Sequence, residues 1–188
     1  MKQILIDTFN LIEAEAELFV NSFERISLLK GEPFIAHGKV CDKVGFVEKG
    51  LLKCTLIGQN KSVIDDFVFE NQFVANHYSF LKQKPSNKEI ICLEDSVLKI
   101  ISRQKLNELS NKYPFVEIMA RRVSEQLFLS TAEKLENMRL LSAEERYLRL
   151  LELNKQIFEK VPQYEIASYL NVSPETISRI RNKVASRS

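Results

Sequence analysis

The spacing of apolar residues between positions 166 and 180 restricts this part of the chain to a pair of short helices. The set consists of apolar or small residues separated by mostly polar ones: Ile166, Ala167, Leu170, Val172, Ile177 and Ile180. Two short helices that cross at a tight turn would bury the whole set, because each helix then turns its apolar face towards the other. The sequence therefore predicts a helix, a turn and a second helix.

The residues around the predicted turn have the properties that a helix-turn-helix requires. Ala167 is small enough for the two helices to approach closely, and Ile177 can fill the angle between them. Asn171 would take the turn position, since Asn adopts the left-handed conformation readily. Ser173 is a good N-cap, and Pro174 suits the first helical position. The second helix is therefore predicted to begin at Pro174.

The outward face of the second helix carries side chains that could bind DNA. Arg179 can make a bidentate contact with guanine in the major groove, and Glu175 can accept a hydrogen bond from cytosine. The hydroxyls of Ser173 and Thr176, with the helix N-terminus, could hold phosphate. The candidate DNA-binding residues are Ser173, Pro174, Glu175, Thr176, Ser178, Arg179 and Asn182. A solvated polar face on an amphipathic terminal helix is the alternative interpretation.

Positive charge is concentrated at this end of the chain. The net charge of the whole sequence is +2, which is too small to indicate nucleic-acid binding by itself. From Asn171 onward the only acid is Glu175, against four basic residues, Arg179, Arg181, Lys183 and Arg187. The local excess supports a polyanionic partner.

The chain before this segment changes character near Lys30. Apolar residues at mostly helical intervals over residues 4–30 predict short helices at the start. From Lys30, short apolar runs broken by Gly or polar turns predict an antiparallel sandwich or barrel. The run SVIDDFVFE alternates as a strand does, and the preceding GQNK is predicted to form a hairpin turn.

A Gly-free segment from Pro114 to Leu141 is predicted to form a helix of several turns. Its apolar residues recur at three-, four- or eight-residue steps, at Val116, Met119, Val123, Leu127, Leu135 and Met138. This stripe could pack against the β-module or against a second copy of the chain, and the sequence favours the second copy. Ser142 and Glu145 then form an S-x-x-E capping box, which predicts that a new helix begins there.

Several classes of protein are disfavoured by composition. Cys41, Cys54 and Cys92 are odd in number and far apart, so they indicate neither a disulfide framework nor a metal site. The start of the chain lacks a basic segment, and nowhere do about 18 consecutive apolar residues occur. We therefore expect a cytoplasmic protein without a membrane partner or cofactor. An enzyme using His77 and Cys92 is a remote alternative, since no nucleophile or acid–base partner lies near either histidine in sequence.

Two stretches resemble a known family. The segment IASYLNVSPETISRIR, preceded by SAEERYLRLL, is similar to the DNA-binding end of the Crp/Fnr regulators, the group of the cyclic-AMP receptor protein and the fumarate-nitrate-reduction regulator. The segment LLKGEPFIAHGKVCDKVGFVEKGLLKC resembles the sensor domain of the same family, so the resemblance covers nearly the whole chain.

The resemblance implies an α+β fold and a homodimer that binds an inverted-repeat operator. It implies a cyclic-nucleotide-binding-like antiparallel β-roll with flanking helices (1–113), a dimerisation helix (114–141) and an all-α helix-turn-helix domain (142–188). Glu175 and Arg179 match the base-reading acid and arginine of the family, while Pro174 stands where the cyclic-AMP receptor protein carries another arginine. Because the sequence stops at Ser188, the β-hairpin wing of the family is not expected. RNA polymerase is a further candidate partner.

The sensor part departs from the family pattern where cyclic AMP would bind. Family members that bind it have a GELx cassette followed by RxA, and a buried phosphate requires such a paired cation. The corresponding stretch here, QFVANHYSFLKQKPSNKEIIC, has neither. We therefore predict that cyclic AMP does not bind in the usual way. A different small-molecule effector could bind a loop that contains Asn76, His77, Tyr78, Ser86 and Lys88, or these residues form a partly exposed loop.

The leading hypothesis is thus a dimeric, sequence-specific transcriptional regulator rather than an enzyme. The alternative is a ligand-sensing or protein-interaction module that has kept the β-roll and no longer binds DNA. Variants at Glu175 and Arg179 distinguish the two hypotheses.

Overall fold

The computed structural model describes residues 1–153 and 155–186. The chain divides into two compact units, Met1–Ser124 and Glu125–Ser188. Within the described residues, no helix is both long and apolar enough to cross a membrane.

The first unit begins with the two short helices that the sequence predicts, α1 (Lys2–Phe9) and α2 (Glu13–Val20). Asn10 ends α1 in the left-handed conformation, with φ of 54°. The apolar faces of both helices belong to one buried cluster. The cluster consists of Leu5, Phe9, Leu11, Ala16, Phe19, Ile101, Leu109, Val116 and Met119. The helical prediction extended too far, however, because residues 24–28 form a strand that pairs with the last strand of the unit.

Within residues 1–124, all of which the structure describes, eight strands form two antiparallel four-stranded sheets. The first sheet contains, in spatial order, β1 (Glu24–Leu28), β8 (Ser96–Ser102), β3 (Lys43–Lys49) and β6 (Phe73–Val74). The second sheet contains, in spatial order, β2 (Pro33–Ile35), β7 (Lys88–Cys92), β4 (Leu52–Ile57) and β5 (Ser62–Val68). Apolar residues from both sheets, among them Phe34, Val47, Leu52, Ile90 and Leu98, form a common core. The predicted antiparallel β-roll is thereby confirmed. Gly58 and Lys61 close the predicted GQNK turn with a backbone hydrogen bond of 2.9 Å.

Three further helices belong wholly or partly to this unit: α3 (His77–Lys82), α4 (Arg103–Lys112) and the start of α5 (Pro114–Leu140). The predicted long helix is confirmed, with 27 residues. Val116 and Met119, from its predicted stripe, are buried in the cluster of α1 and α2, and Val123 packs against that cluster. Leu135 and Met138, which also belong to the predicted stripe, are exposed instead. The other exposed apolar residues of α5 lie outside the stripe, at Ile118, Phe128, Leu129 and Leu140.

The second unit contains the rest of α5 and four more helices, α6 (Ala143–Leu153), α7 (Ile157–Lys160), α8 (Gln163–Tyr169) and α9 (Pro174–Ala185). The predicted capping box precedes α6: Glu145 accepts from the backbone N–H of Ser142 (2.7 Å), and Ser142 Oγ accepts from that of Glu145 (3.3 Å). Tyr147 of α6 is buried and lies 4.8 Å from the ring of Phe158.

Candidate nucleic-acid interface

Helices α8 and α9 form the crossed pair that the sequence predicts. Ile166, Ala167, Leu170, Ile177 and Ile180 are all buried, and Ala167 has no exposed surface. A larger side chain at that position would force the two helices apart, since the interior has no room for added volume. The pair therefore has one packing, and this packing fixes the direction of α9.

The turn between the two helices has the predicted backbone conformation. Asn171 has φ of 53°, in the left-handed region. Its N–H donates to the carbonyl of Ser168 (3.1 Å), and the N–H of Val172 donates to that of Ala167 (3.0 Å). These bonds satisfy the last carbonyls of α8, as a left-handed C-terminal residue allows. The Gln163 side chain also donates to the carbonyl of Pro174 (3.1 Å), which connects the start of α8 to the start of α9.

The N-terminus of α9 begins at the predicted residue. Ser173 has extended backbone angles, and its Oγ accepts from the N–H of Thr176 (3.3 Å), with Pro174 in the first turn. A hydrogen bond from the Ser173 side chain lowers the pKa of Glu175 below its usual value, with further contributions from the backbone N–H of Glu175 and from nearby Arg179. Glu175 is therefore a carboxylate at neutral pH, which can accept hydrogen bonds but cannot donate them.

The outward face of α9 is polar and exposed. Glu175, Ser178, Arg179 and Asn182 are exposed, as are Ser173 and Pro174, while Thr176 is half-buried. Arg179 Nη2 donates to Thr176 Oγ1 (3.3 Å). The structure thus brings all seven candidate DNA-binding residues to the exposed start and outer face of one helix.

Part of the positive charge at this end of the chain is paired with an acid. Lys183 forms an ion pair with Glu144 of α6, so part of its charge is compensated within the unit. Arg187, which the sequence count included, lies outside the described residues. Arg179 and Arg181 are exposed.

The predicted ligand loop in the first unit is largely bonded to the protein itself. Asn76 is 2% exposed, accepts from the N–H of Ser79 (3.3 Å) as the cap of α3, and donates to Ser86 Oγ (2.6 Å). Ser86 in turn donates to the carbonyl of Lys88 (2.7 Å) and accepts from its N–H (3.1 Å). Asn76 and Ser86 therefore act as internal connections between α3 and the start of β7.

The charged member of that loop, Lys88, forms an ion pair with Asp65 of β5. Asp65 is the extra residue of a β-bulge, because Cys54 pairs with Asp66 whereas Thr55 pairs with Ile64. The bulge allows its carboxylate to reach Lys88 on β7, across the intervening strand β4. The lysine of the predicted ligand loop is thus already paired with an acid.

The remaining loop residues differ in exposure. Burial, with a smaller contribution from the charge of Lys88, lowers the pKa of His77, so its ring is neutral at pH 7. Tyr78 is 62% exposed. A separate open cleft of about 470 Å³ lies beside β8 and α4, lined by polar residues that include Glu24, Asp42, Ser102 and Lys105, and it contains none of the loop residues.

The three cysteines are free and buried. Burial raises the pKa of both Cys41 and Cys92, which disfavours the thiolate that a nucleophile requires. The cysteines are therefore residues of the β-roll interior.

Two functional contributors were missed by the sequence reasoning. Arg146 of α6 donates to backbone carbonyls at the ends of two helices, to that of Leu141 just after α5 and to that of Leu170 at the end of α8. The signal that could have found it is a lone arginine among the apolar residues Ala143, Tyr147 and Leu150. Asp65 was read only as part of an alternating strand, and no sequence signal marks the bulge.

Comparisons with known proteins agree with these elements. Residues 25–113 match the family model of the cyclic nucleotide-binding domain. The catabolite activator protein of Thermus thermophilus is similar in structure, with a TM-score of 0.60 and 19% identity over 94% of this chain and 85% of that one. FixK2 of Bradyrhizobium japonicum is also similar, with a TM-score of 0.71 and 15% identity over 88% of this chain and 85% of that one. No curated protein sequence matches the chain significantly.

A third similar structure is the regulator CLP of Xanthomonas campestris, described as responsive to c-di-GMP, with a TM-score of 0.68 and 16% identity over 93% of this chain and 92% of that one. A β-roll, a long helix and a helix-turn-helix follow one another in this order along the chain. The match to the cyclic nucleotide-binding domain covers residues 25–113, and the chain has the fold of these solved structures, which are regulators of the Crp/Fnr type. The resemblance seen in the sequence is confirmed at the level of domain and fold.

Proposed function

We propose that the protein is a sequence-specific DNA-binding transcriptional regulator that acts as a homodimer on an inverted-repeat operator. The observation that carries this proposal is the geometry of α8 and α9. The two helices pack so that a polar face of α9 is exposed, and this face begins at the capped N-terminus of the helix. A helix-turn-helix places the N-terminal residues of such a helix against base edges in the major groove. The similar folds of known regulators support the same conclusion.

The residues of α9 divide into two roles. Arg179 would contact guanine with its guanidinium group, and Glu175, ionised at neutral pH, would accept from the amino group of cytosine. Ser173 and Thr176 at the helix start would contact phosphate, with Pro174, Ser178 and Asn182 adjoining the same surface. Because Pro174 has no donor side chain, this protein would read fewer base pairs than a regulator with arginine there.

The exposed face of α5 is the surface we assign to the second copy. Phe128 and Leu135 are 73% and 49% exposed and lie seven residues apart, which is the repeat of a two-helix seam. Met138, 51% exposed, lies three residues beyond Leu135 and therefore on the same side of the helix. Exposed apolar residues that share one side of a helix indicate an interaction surface. The domain division is then 1–113 for the sensor, 114–141 for the dimerisation helix and 142–188 for DNA binding.

We propose that the sensor part does not bind cyclic AMP in the usual way. The support is that Asn76 and Ser86 are bonded to each other and that Lys88 is paired with Asp65. We further propose that the sensor part binds an effector of other chemistry. The protein would contact RNA polymerase and would be located in the cytoplasm.

The test is selection of bound fragments from random DNA by the purified protein, repeated with Arg179→Ala as salt is raised. Recovery of an inverted repeat with half-sites about one helical turn apart is expected, because a two-fold dimer presents two copies of α9. Arg181→Ala is the matched control, since it removes the same charge from the same helix. It should lower affinity evenly for all sequences, whereas Arg179→Ala should relax the preference at one position in each half-site. Equal binding of all sequences by the wild-type protein would refute the proposal.

A second candidate function, a protein-interaction module, is favoured by the surface of α3. Tyr78 and Leu81 are 62% and 67% exposed there, and Lys82 and Lys84 lie beside them. If this module were the whole function, Glu175→Ala and Arg179→Ala would change no sequence preference.

A further inference from the structure

Three side chains at the start of α9 form a continuous series of contacts. The hydroxyl oxygens of Ser173 and Thr176 lie 3.2 Å apart. Arg179 Nη2 lies 3.3 Å from Thr176 Oγ1, one helical turn further along. The guanidinium group assigned to base reading is thus connected through Thr176 to Ser173, the N-cap residue of its own helix.

The chemistry of these groups fixes the direction of the contact between Arg179 and Thr176. Arginine can only donate, so Thr176 Oγ1 accepts from Arg179. The hydroxyl of Thr176 keeps its own hydrogen, which it can donate to Ser173 Oγ, and Ser173 Oγ also accepts from the N–H of Thr176 (3.3 Å). Thr176 is thus held by the N-cap residue of α9 while it accepts from Arg179.

We propose that Ser173 and Thr176 form a hydroxyl relay that orients Arg179 before DNA is bound, with Thr176 as the positioning residue for Arg179. The inference rests on the proposed DNA-binding function and deepens it. Hydrogen bonds that run in one direction polarise one another, so the relay is stronger than separate contacts of the same kind. The guanidinium group is then presented to DNA in one orientation.

Preorganisation is the reason why a single hydroxyl can affect specificity. Arg179 is exposed, and a free arginine must lose its rotamer freedom when it makes a bidentate contact with guanine. A side chain that is already oriented by Thr176 loses less freedom on binding. Loss of the hydroxyl should therefore reduce the preference for guanine by about 2- to 10-fold, the factor associated with immobilising one long side chain.

The experiment compares Thr176→Val with Thr176→Ser in the full-length protein. Valine keeps the shape of threonine and removes the hydroxyl, whereas serine keeps the hydroxyl and removes the methyl group. The DNA readout is a ratio of two affinities, one for the selected operator and one for an altered operator. The altered operator is changed at the base pair where Arg179→Ala relaxes the sequence preference. A phosphate contact of Thr176 cancels in this ratio, because it is equal for both sequences.

The second readout needs no DNA. Side-chain NMR relaxation of the Arg179 guanidinium in the free protein measures its order directly, and thermal unfolding checks that the variants are folded. We expect Thr176→Val to lower both the affinity ratio and the order of Arg179, and Thr176→Ser to retain both. Equal order of Arg179 in the wild-type protein and in Thr176→Val, or equal losses in both variants, would overturn the relay.

The two readouts separate failure of the relay from failure of the proposed function. If wild-type protein showed no sequence preference while Thr176→Val still mobilised Arg179, DNA reading would be refuted and the relay retained as a structural feature. If the operator were recovered but neither variant changed the ratio or the order, only the relay would be refuted.

Discussion

The guanidinium group of Arg146 in α6 donates a hydrogen bond to the carbonyl oxygen of Leu170 at the end of α8 (3.2 Å). Its other terminal nitrogen donates to the carbonyl oxygen of Leu141, just after α5 (2.6 Å). Both carbonyls lie at helix ends, where the last acceptors have no partner within their own helix. One cation therefore satisfies two helix ends and fixes α6 against the turn that leads into α9.

Replacing Arg146 with leucine should lower the free energy of unfolding of the C-terminal unit by about 1.5–3 kcal/mol, the range for hydrogen bonds from a charged donor. Hydrogen exchange of the amides in α8 and α9 measures this change. The control is Arg149→Ala, which removes an exposed ion pair with Glu133 and should change the free energy by less than about 1 kcal/mol. Equal effects of the two changes would contradict a specific role for Arg146.

Gly50 at the turn after β3 should not tolerate a side chain. Its φ is 113°, and an added Cβ would lie 2.2 Å from Ser96 Oγ and 2.9 Å from Ser96 Cα. Gly50→Ala should therefore lower the free energy of unfolding by about 2–5 kcal/mol, through backbone strain and a steric clash together. Gly38→Ala isolates the strain, because φ there is 77° and no atom lies within 4 Å of the added Cβ. It should lower the free energy by only about 1–2 kcal/mol in urea denaturation. A Gly50→Ala protein as stable as Gly38→Ala would show that the clash relaxes.

Local residue chemistry made α9 and its turn predictable. Asn171, Ser173 and Pro174 each favour a particular backbone conformation, and neighbours in sequence decide the outcome. The capping box of Ser142 and Glu145 was predictable for the same reason. These features need no knowledge of distant segments.

Features that depend on distant pairing could not be predicted. Residues 24–28 have helix-like spacing, yet they become a strand because β8 offers a pairing edge more than 60 residues away. The pair of Asp65 and Lys88 depends on a bulge that only the register of β4 and β5 creates. On α5, periodicity revealed an apolar stripe but not that Val116 and Met119 pack within the first unit while Phe128 stays exposed.

Phe128→Ser should weaken dimerisation while leaving the folded chain intact. The side chain is 73% exposed in the single chain, so removing it creates no internal cavity. Each buried aromatic or aliphatic side chain stabilises an interface by about 1.5–3 kcal/mol, and a two-fold dimer loses two copies. The dissociation constant from sedimentation equilibrium should rise at least about tenfold. Ile12→Ser, at an apolar residue 65% exposed in the N-terminal region, is the control and should leave the constant unchanged.

The neutral state of His77 should make stability depend on pH. Its pKa in the folded protein is lowered from 6.5 by burial and by the charge of Lys88, so below pH 6.5 the unfolded chain binds a proton that the folded chain does not. The free energy of unfolding should therefore decrease as the pH falls from 6.5 towards the folded pKa. His77→Gln should remove this slope in urea denaturation between neutral and mildly acidic pH. His37→Gln is the matched control, because that ring is exposed and the slope should persist. A slope that survives in His77→Gln would assign the proton to another group.

The ion pair of Lys88 and Asp65 should prevent the cyclic phosphate of cyclic AMP from binding at Lys88. A phosphate near Lys88 would also lie near the Asp65 carboxylate, and like charges at such distances repel. Titration calorimetry with cyclic AMP should therefore show no saturable heat at millimolar nucleotide. Asp65→Asn removes the repelling charge and leaves the cation, so weak binding that appears only in this variant would show that the acid is the cause of exclusion. Saturable binding to the wild-type protein would instead mean that the β-roll recognises the nucleotide through residues other than Lys88.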